Sequence, residues 1–351
     1  MRFIHIADVH LGANPEAGKA YTEHRGVEIW DSFAHVIDVC EAEQIELLLI
    51  AGDMFHRQPL LRELKEVNYL FSGLTKTKVV FVAGNHDYVK SNSYYQTFEW
   101  NSNVYPLLNQ EMEYIEFPEL EVGICGFSYH TKEILENRYD MEQAPGRQPY
   151  EILIAHGGDE KHIPFKRNKL ISLDYKYIAF GHIHKAGIIE KNKIAYSGAL
   201  EPIDKNDVGK HGYILGELSK DKTTLSFIPC AKREYVHLEL PIQDDMTNGR
   251  VKDIVKEQVE KYGKENLYKV TLKGYRDPDI LLDIEHMDAY GNILEVLDET
   301  NPAYHFEKLK EQNKENLLGK FIQRLEGHEL DSIEQQALCE GVHALLETRQ
   351  G

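Results

Sequence analysis

The chain has 351 residues, with 58 acidic against 40 basic side chains and a formal charge of -18, so it can hold two ordinary domains or one large domain with an appendage. The negative balance opposes autonomous, non-specific adhesion to nucleic acid or anionic membrane, both polyanions, and leaves room only for a local basic surface. Cys40, Cys125, Cys230 and Cys339 stand too far apart for a C-x-x-C metal or redox pair, and a disulfide framework is not expected.

The opening "MRFIHIADVH" is interrupted by His5 and Asp8 too early for a signal peptide, and no later apolar run approaches the length of a membrane span. A soluble, cytoplasmic protein without membrane attachment is expected. "RFIHIA" reads as a strand, "GVEIWDSFAHVIDVCEAEQ" as a helix and "IELLLIA" as a strand. "LLRELKEVNYLFSGL" is again helical and "KVVFVAG" extended. Near-continuous apolar strands joined by helical crossovers predict a sheet covered on both faces.

From about Glu111 the texture changes to short strands with few helices: "YIEF", "EVGICGF", "YEILIAH", "YKYIAFGH", "KIAYSGA", "HGYILGEL" and "TTLSFIP". This predicts a second sheet packed on the first, an α/β layered sandwich with helices outside. Beyond residues 230 to 240 the chain becomes more charged and helical, which marks a domain boundary. From Tyr304 onward apolar residues form partial helical stripes, suited to a local core or to docking on a partner.

Polar residues cluster at the predicted strand ends. "ADVH" delivers Asp8 and His10, alternate positions of one extended segment that can converge on a cation. "GDMFH" supplies Asp53 and His56, "GNHD" supplies Asn85, His86 and Asp87, "IAHGG" supplies His156, and "FGHIH" supplies His182 and His184. Gly52, Gly84 and Gly181 beside them permit tight turns. Carboxylate, amide and imidazole donors without a thiolate favour Mn²⁺, Fe²⁺ or Zn²⁺ over a structural thiolate zinc site. The donors exceed the needs of one ion; a shared carboxylate, with Asp53 the natural choice, would bridge two ions, the usual geometry for hydrolysing phosphate esters.

In this order, "DVH", "GDMFH", "GNHD", "AHGG" and "GHIH" resemble the motif series of the calcineurin-like metallophosphoesterases. "HIADVHLG", the histidine of "GDMFHRQPL" and "YSGALEP" are similar to bacterial DNA-repair exonucleases of the SbcD and YhaO type, over roughly the first 230 residues. The resemblance implies that Asp8, His10, Asp53 and His184 hold one metal and that Asp53, Asn85, His156 and His182 hold the other. It implies that His86 protonates the leaving oxygen, that His56 helps place the phosphate, and that Asp87 orients His86 through a carboxylate to imidazole hydrogen bond.

The implied activity is a two-metal nuclease, exonuclease or endonuclease, dependent on Mn²⁺, cutting DNA in repair with 3′-5′ polarity. The implied partners are DNA, a coiled-coil ABC-type ATPase like SbcC and a second copy in a homodimer. The implied domains are a nuclease domain at 1–232, a capping domain at 233–303 and a helical segment at 304–351 that docks on the ATPase. A phosphoesterase of small molecules or phosphoproteins on the same frame, and a non-catalytic DNA-end tether, are the alternatives.

Other residues carry weaker signals. His5 alternates away from Asp8 and is expected to be structural. His24 and Arg25 are expected to form an exposed polar pair. Lys161, Lys166, Arg167 and Lys169 form a basic loop that either guides a nucleic-acid backbone or is simply solvated. Tyr94, Phe98 and Trp100 suit burial of a short helix better than stacking on bases.

Overall fold

The computed structural model describes residues 1–15, 23–220, 222–327 and 333–348. They divide into two units, Met1–Tyr235 and Val236–Gly351. In the first unit β1 (Arg2–Ile6), β2 (Leu47–Ala51), β3 (Lys78–Val82) and β4 (Val104–Pro106) run parallel, with α1 (Arg25–Ala42) and α2 (Leu61–Ser72) as the early crossovers. Parallel neighbours cannot be joined by a tight turn, which is why helices separate these strands in the sequence.

A second sheet follows, built from β5 (Glu113–Phe117), β6 (Val122–Gly126), β7 (Tyr150–His156), β8 (Tyr177–Gly181), β9 (Gly187–Glu190) and β10 (Ile194–Tyr196). The short α3 (Arg167–Ser172) lies between β7 and β8. Its order is β5-β6-β7-β8-β10-β9, and it mixes parallel and antiparallel pairs. The chain then returns to the first sheet. β11 (Gly212–Leu218) pairs antiparallel with β1, and β12 (Thr223–Pro229) pairs with β11, giving the order β12-β11-β1-β2-β3-β4. The sequence texture placed these two strands in the second sheet. Alternation records that a segment is extended and which face is buried, not which edge it joins; β1 without β11 would expose a row of unpaired backbone groups.

The period of two along each strand divides the core. Phe3, Leu47, Leu49, Val80 and Val82 face the second sheet, where Ile124, Ile152, Ile154 and Ala179 meet them. The intervening Ile4, Ile6, Leu48, Ile50, Val79 and Phe81 pack beneath Phe33 and Val36 of α1 and Val67 and Phe71 of α2. His5 lies on the inner face, fully buried, its Nδ1 2.7 Å from the Tyr177 hydroxyl, so it is structural as expected.

The second unit has a three-stranded sheet of β13 (Tyr235–Ile242), β14 (Leu267–Arg276) and β15 (Ile293–Pro302), covered by α4 (Asn248–Tyr262). Thr247 caps α4 by accepting the Arg250 amide at 3.3 Å. Val251, Val255 and Val259 lie on one face and pack on Leu240, Val270 and Leu272, each valine contributing about 1.5 kcal/mol or more. Then α5 (Phe306–Gln312), α6 (Leu317–Leu325) and α7 (Ile333–Glu347) close on Leu318, Ile322, Leu338 and Val342 as a small core. Much of the stripe after Tyr304 is therefore used internally, while residues 328–332 and 349–351 lie outside the described residues. Among the described residues, no helix is long and apolar enough to cross a membrane.

Candidate metal centre

The C-terminal ends of β1, β2, β3, β7 and β8 meet at one edge of the sandwich. Backbone bonds zip the first two exits together, from the Asp8 amide to the Gly52 carbonyl at 3.1 Å and from the His10 amide to the Asp53 carbonyl at 3.0 Å. Asp8 (φ 50°), His10 (φ 52°), Asp53 (φ 50°) and His182 (φ 97°) all adopt left-handed backbone conformations that non-glycine residues rarely hold. Such strain persists only where the surrounding structure over-determines it, and it concentrates at functional sites.

The third exit is fixed by Asp53, whose Oδ1 accepts the His86 amide at 2.8 Å. A side chain at Gly84 would collide with Asp53 Oδ1 and His156 Nε2, so this glycine is needed for space; Gly52, at φ 88°, is needed for the turn as well. His156, at the end of β7, donates Nδ1–H to the Ala51 carbonyl at 2.9 Å, and its Nε2 lies 2.9 Å from Asn85 Oδ1. Tyr139 hydroxyl accepts the His156 amide at 2.9 Å, and the Tyr129 hydroxyl donates to the His156 carbonyl at 3.0 Å. The His182 amide donates to Asp8 Oδ2 at 2.9 Å, and His184 Nε2 lies 3.2 Å from His10 Nε2.

The structure thus brings Asp8, His10, Asp53, Asn85, His156, His182 and His184 into one cluster. Ligand-capable atoms of Asp8, His10 and His184 lie within 4.8 Å of one another, as do those of Asp8, Asp53 and His156. Asp8 is common to both groups. Asp53, a member of the second, also reaches toward the first, its Oδ2 3.5 Å from His156 Nε2 and 4.0 Å from His10 Nε2.

The donor chemistry fits divalent cations. With the Nδ1 proton committed to Ala51, His156 has Nε2 alone left for the centre, beside the Asn85 amide oxygen and the Asp53 carboxylate in a buried space, a nitrogen and oxygen donor set suited to a divalent cation that displaces the Nε2 proton. Two buried carboxylates beside them likewise demand positive charge. Burial raises Asp8 to about 6. Burial opposes ionisation of Asp53 too, but the charge and hydrogen bond of His156 together with the charges of His10 and His86 outweigh it and hold Asp53 well below the usual carboxylate range. Burial pulls His156 down, while the charge and hydrogen bond of Asp53, the Asp8 charge and the Ala51 carbonyl together lift it further, to about 9.

Three histidines cluster at the mouth, the ring of His10 lying 5.3 Å from that of His56 and 4.9 Å from that of His86. His86 is exposed, and its Nδ1 donates to the His56 carbonyl at 3.1 Å. Burial lowers the pKa of His56, and the neighbouring His86 lowers it further. A cleft of about 460 Å³ opens on Asn85 and His86 and carries Arg57, Lys90 and Lys132 on its walls.

A calcineurin-like phosphoesterase family model matches residues 1–186, more than half of the chain. The chain belongs to this family. The mixed-sheet sandwich is that of a metallophosphoesterase. Its relatives include the uncharacterised metallophosphoesterase YhaO of Bacillus subtilis, 26% identical over 65% of this chain and 60% of that protein's length. The DNA double-strand break repair protein Mre11 of Methanocaldococcus jannaschii is 27% identical over 68% of this chain and 69% of its own. The SbcD component of the SbcCD nuclease of Staphylococcus saprophyticus is 24% identical over 99% of both.

Within this metallophosphoesterase two expectations need correction. Asp87 does not bond to His86. It is fully buried and accepts from the Gly84 amide at 2.8 Å, the Phe55 amide at 3.2 Å and the Tyr95 hydroxyl at 2.8 Å, because it faces inward from the turn that presents His86 outward. Arg25 is not exposed. It is fully buried at the start of α1, bonded to Glu28 at 2.5 Å, to Glu201 at 3.3 Å and to the Pro202 carbonyl at 2.7 Å. Glu201 belongs to "YSGALEP", so that motif anchors a helix here.

The basic loop is divided. Arg167 pairs with Glu190 at 2.8 Å and, with Lys166 and Lys169, lines a separate surface, while Lys161 pairs with Glu133 at 3.6 Å. Tyr95, not Tyr94, is the buried ring after "GNHD", with Phe98 and Trp100 packed on the same core. Sequence reasoning missed Asp159, 2.7 Å from His182 Nε2, and Asp207, 3.0 Å from His184 Nδ1. The acid in "HGGD" lies near a motif and could have been suspected; nothing in the spacing of "EPIDKND" singles out Asp207.

Proposed function

We propose that this protein is a DNA-repair nuclease that hydrolyses phosphodiester bonds with two divalent cations, Mn²⁺ foremost. The observation that carries the reading is the convergence of Asp8, His10, Asp53, Asn85, His156, His182 and His184 beneath an exposed, backbone-anchored His86 that faces a cleft with basic walls. The relatives named as a nuclease component and as double-strand break repair proteins support DNA as the substrate.

Asp8, His10, Asp53 and His184 would hold one cation, and Asp53, Asn85, His156 and His182 the other. When bound, such a pair supplies a nucleophile at neutral pH and neutralises charge on the phosphoryl oxygens. The remaining work falls to the chain itself. His86, its Nδ1 proton held by the His56 carbonyl, presents Nε2 to the cleft, where a protonated ring can hand a proton to the leaving oxygen. His56 lines the same cleft and helps place the phosphate. Lys90 and Lys132 hold the flanking backbone, with Arg57, paired to Glu63, beside them, which localises DNA on an otherwise acidic protein.

Processing with 3′-5′ polarity, a homodimer, a cap formed by 233–303 and docking of 304–351 on a coiled-coil ABC-type ATPase complete the proposal. The full-length match to a protein named as one part of a nuclease complex supports such a partner. The test is incubation of end-labelled linear duplex DNA with Mn²⁺, alone and with an added coiled-coil ABC-type ATPase. Shortening from 3′ ends is expected. Hydrolysis of a cyclic nucleotide or phosphopeptide with DNA untouched would replace this reading with that of a small-substrate phosphoesterase.

A further inference from the structure

His182 and His184 stand two positions apart, yet they turn different ring nitrogens toward the centre. His182 Nδ1 lies 3.1 Å from Asn85 Oδ1, and its Nε2 lies 2.7 Å from Asp159 Oδ2. His184 is reversed, with Nε2 3.2 Å from His10 Nε2 and Nδ1 3.0 Å from Asp207 Oδ2. An ionised carboxylate only accepts, so each of these contacts requires the proton on the imidazole side. The nitrogen that carries the proton is thereby fixed, and the other nitrogen becomes the lone-pair donor.

We propose that Asp159 and Asp207 are positioning residues that lock opposite tautomers on this histidine pair, so that His182 offers Nδ1 to one cation and His184 offers Nε2 to the other. The inference rests on the two-cation reading above and deepens it. Two imidazoles this close in sequence, locked the same way, would present the same nitrogen; here acceptors on two different loops fix opposite ones.

Both acceptors are themselves held. Asp159 Oδ1 accepts the Lys161 amide at 2.8 Å, the His162 amide at 2.9 Å and His162 Nδ1 at 2.8 Å, while His182 takes Oδ2. Asp159, His162 and His182 have ligand atoms near enough to gather a cation of their own. With its oxygens already committed to these donors, however, Asp159 has the environment of an orienting acceptor. Asp207 Oδ2 accepts the Ile203 amide at 3.0 Å and the Asp204 amide at 3.1 Å, so a turn is built around the carboxylate that faces His184.

The test is calorimetric titration of the full chain with Mn²⁺, comparing the native protein with Asp159→Ala, Asp207→Ala and the double alanine variant. ¹⁵N NMR of the histidine rings in zinc-loaded protein would accompany it. Asp159 is in a partly exposed loop, so Asp159→Ala should melt normally in chelator; Asp207 also holds its turn, so Asp207→Asn, which keeps one oxygen for the turn amides and for His184 Nδ1–H, serves as the rescue control and should restore both the tautomer and the ion. Each single alanine variant should weaken one of two ions about 10- to 100-fold, and the double variant should weaken both. The spectrum should show Nε2–H at His182 and Nδ1–H at His184, each signature lost only in its own variant. Two ions bound as tightly in either alanine variant as in the native chain, or the same tautomer at both histidines, would overturn the inference. So would a third ion lost with Asp159. A native chain that never binds two ions would instead remove the two-cation reading itself.

Discussion

His156 and Ala51, 105 positions apart, are joined by a 2.9 Å hydrogen bond from the ring Nδ1–H to the carbonyl at the end of β2. The bond crosses from one sheet to the other and aims Nε2 at Asn85. His156→Ala should therefore reduce the number of Mn²⁺ ions bound. His86→Ala removes only a group above the cluster, so it should preserve the ion count and lower cleavage by about 10²- to 10⁴-fold. Calorimetry beside a nuclease assay separates the two; equal loss of metal in both variants would contradict the division of roles.

The basic walls of the cleft predict a second division. Lys90→Ala and Lys132→Ala should weaken DNA binding at low salt, each reducing the slope of log K against log salt by about 0.9. Arg167→Ala, in the separate patch where Arg167 is tied to Glu190, should leave that slope unchanged. Fluorescence anisotropy across a salt series reads the difference. A slope that responds to Arg167 alone would move the DNA path to the loop.

The buried ion cluster of Arg25, Glu28 and Glu201 predicts a large asymmetry in stability. Removing one member leaves a charge without its partner in a dry interior, so Arg25→Met should cost about 3–5 kcal/mol. Ser32 and the Lys232 amide still bond to Glu201, at 2.5 and 2.6 Å, and the further change Glu201→Gln should recover part of that loss. Urea unfolding of the two variants tests this. A single variant as stable as the native chain would show that the cluster contributes nothing.

His5 predicts an acid sensitivity apart from the metal cluster. Burial lowers its pKa from the ordinary 6.5 to about 3. The unfolded chain therefore binds a proton that the folded one refuses, and this contribution is intact above pH 6.5 and lost progressively as pH falls toward about 3. His5→Gln should flatten unfolding free energy against pH in that window, measured in chelator. Parallel curves for the two proteins would exclude His5 as a source of the acid sensitivity.

Much of the site was legible because its chemistry is local. "ADVH", "GDMFH", "GNHD", "AHGG" and "GHIH" each follow a strand whose apolar run is plain, and the glycines beside them signal a close approach. Asp87 shows where that legibility ends. Its adjacency to His86 suggested a pair, but consecutive residues in a turn point different ways, and Asp87 faces Tyr95 and the Gly84 amide. Arg25 stands four residues before Ile29 on the buried stripe of α1, but a cation there is buried only with partners, and Glu201 and Pro202 arrive from 176 and 177 positions away.

The sequence by itself determined the strand and helix alternation of the first unit, the identity of the clustered donors and the change of texture near residues 230 to 240. These follow from periodicity, turn chemistry and residue type, all properties of short segments. Only the tertiary structure decided that β11 and β12 complete the first sheet, that Asp159 and Asp207 face opposite nitrogens of His182 and His184, and that the cleft's cations are Arg57, Lys90 and Lys132. Those outcomes depend on which distant segments share an edge or a hydrogen bond, and a side chain's local pattern records whether it is buried but not what it will meet.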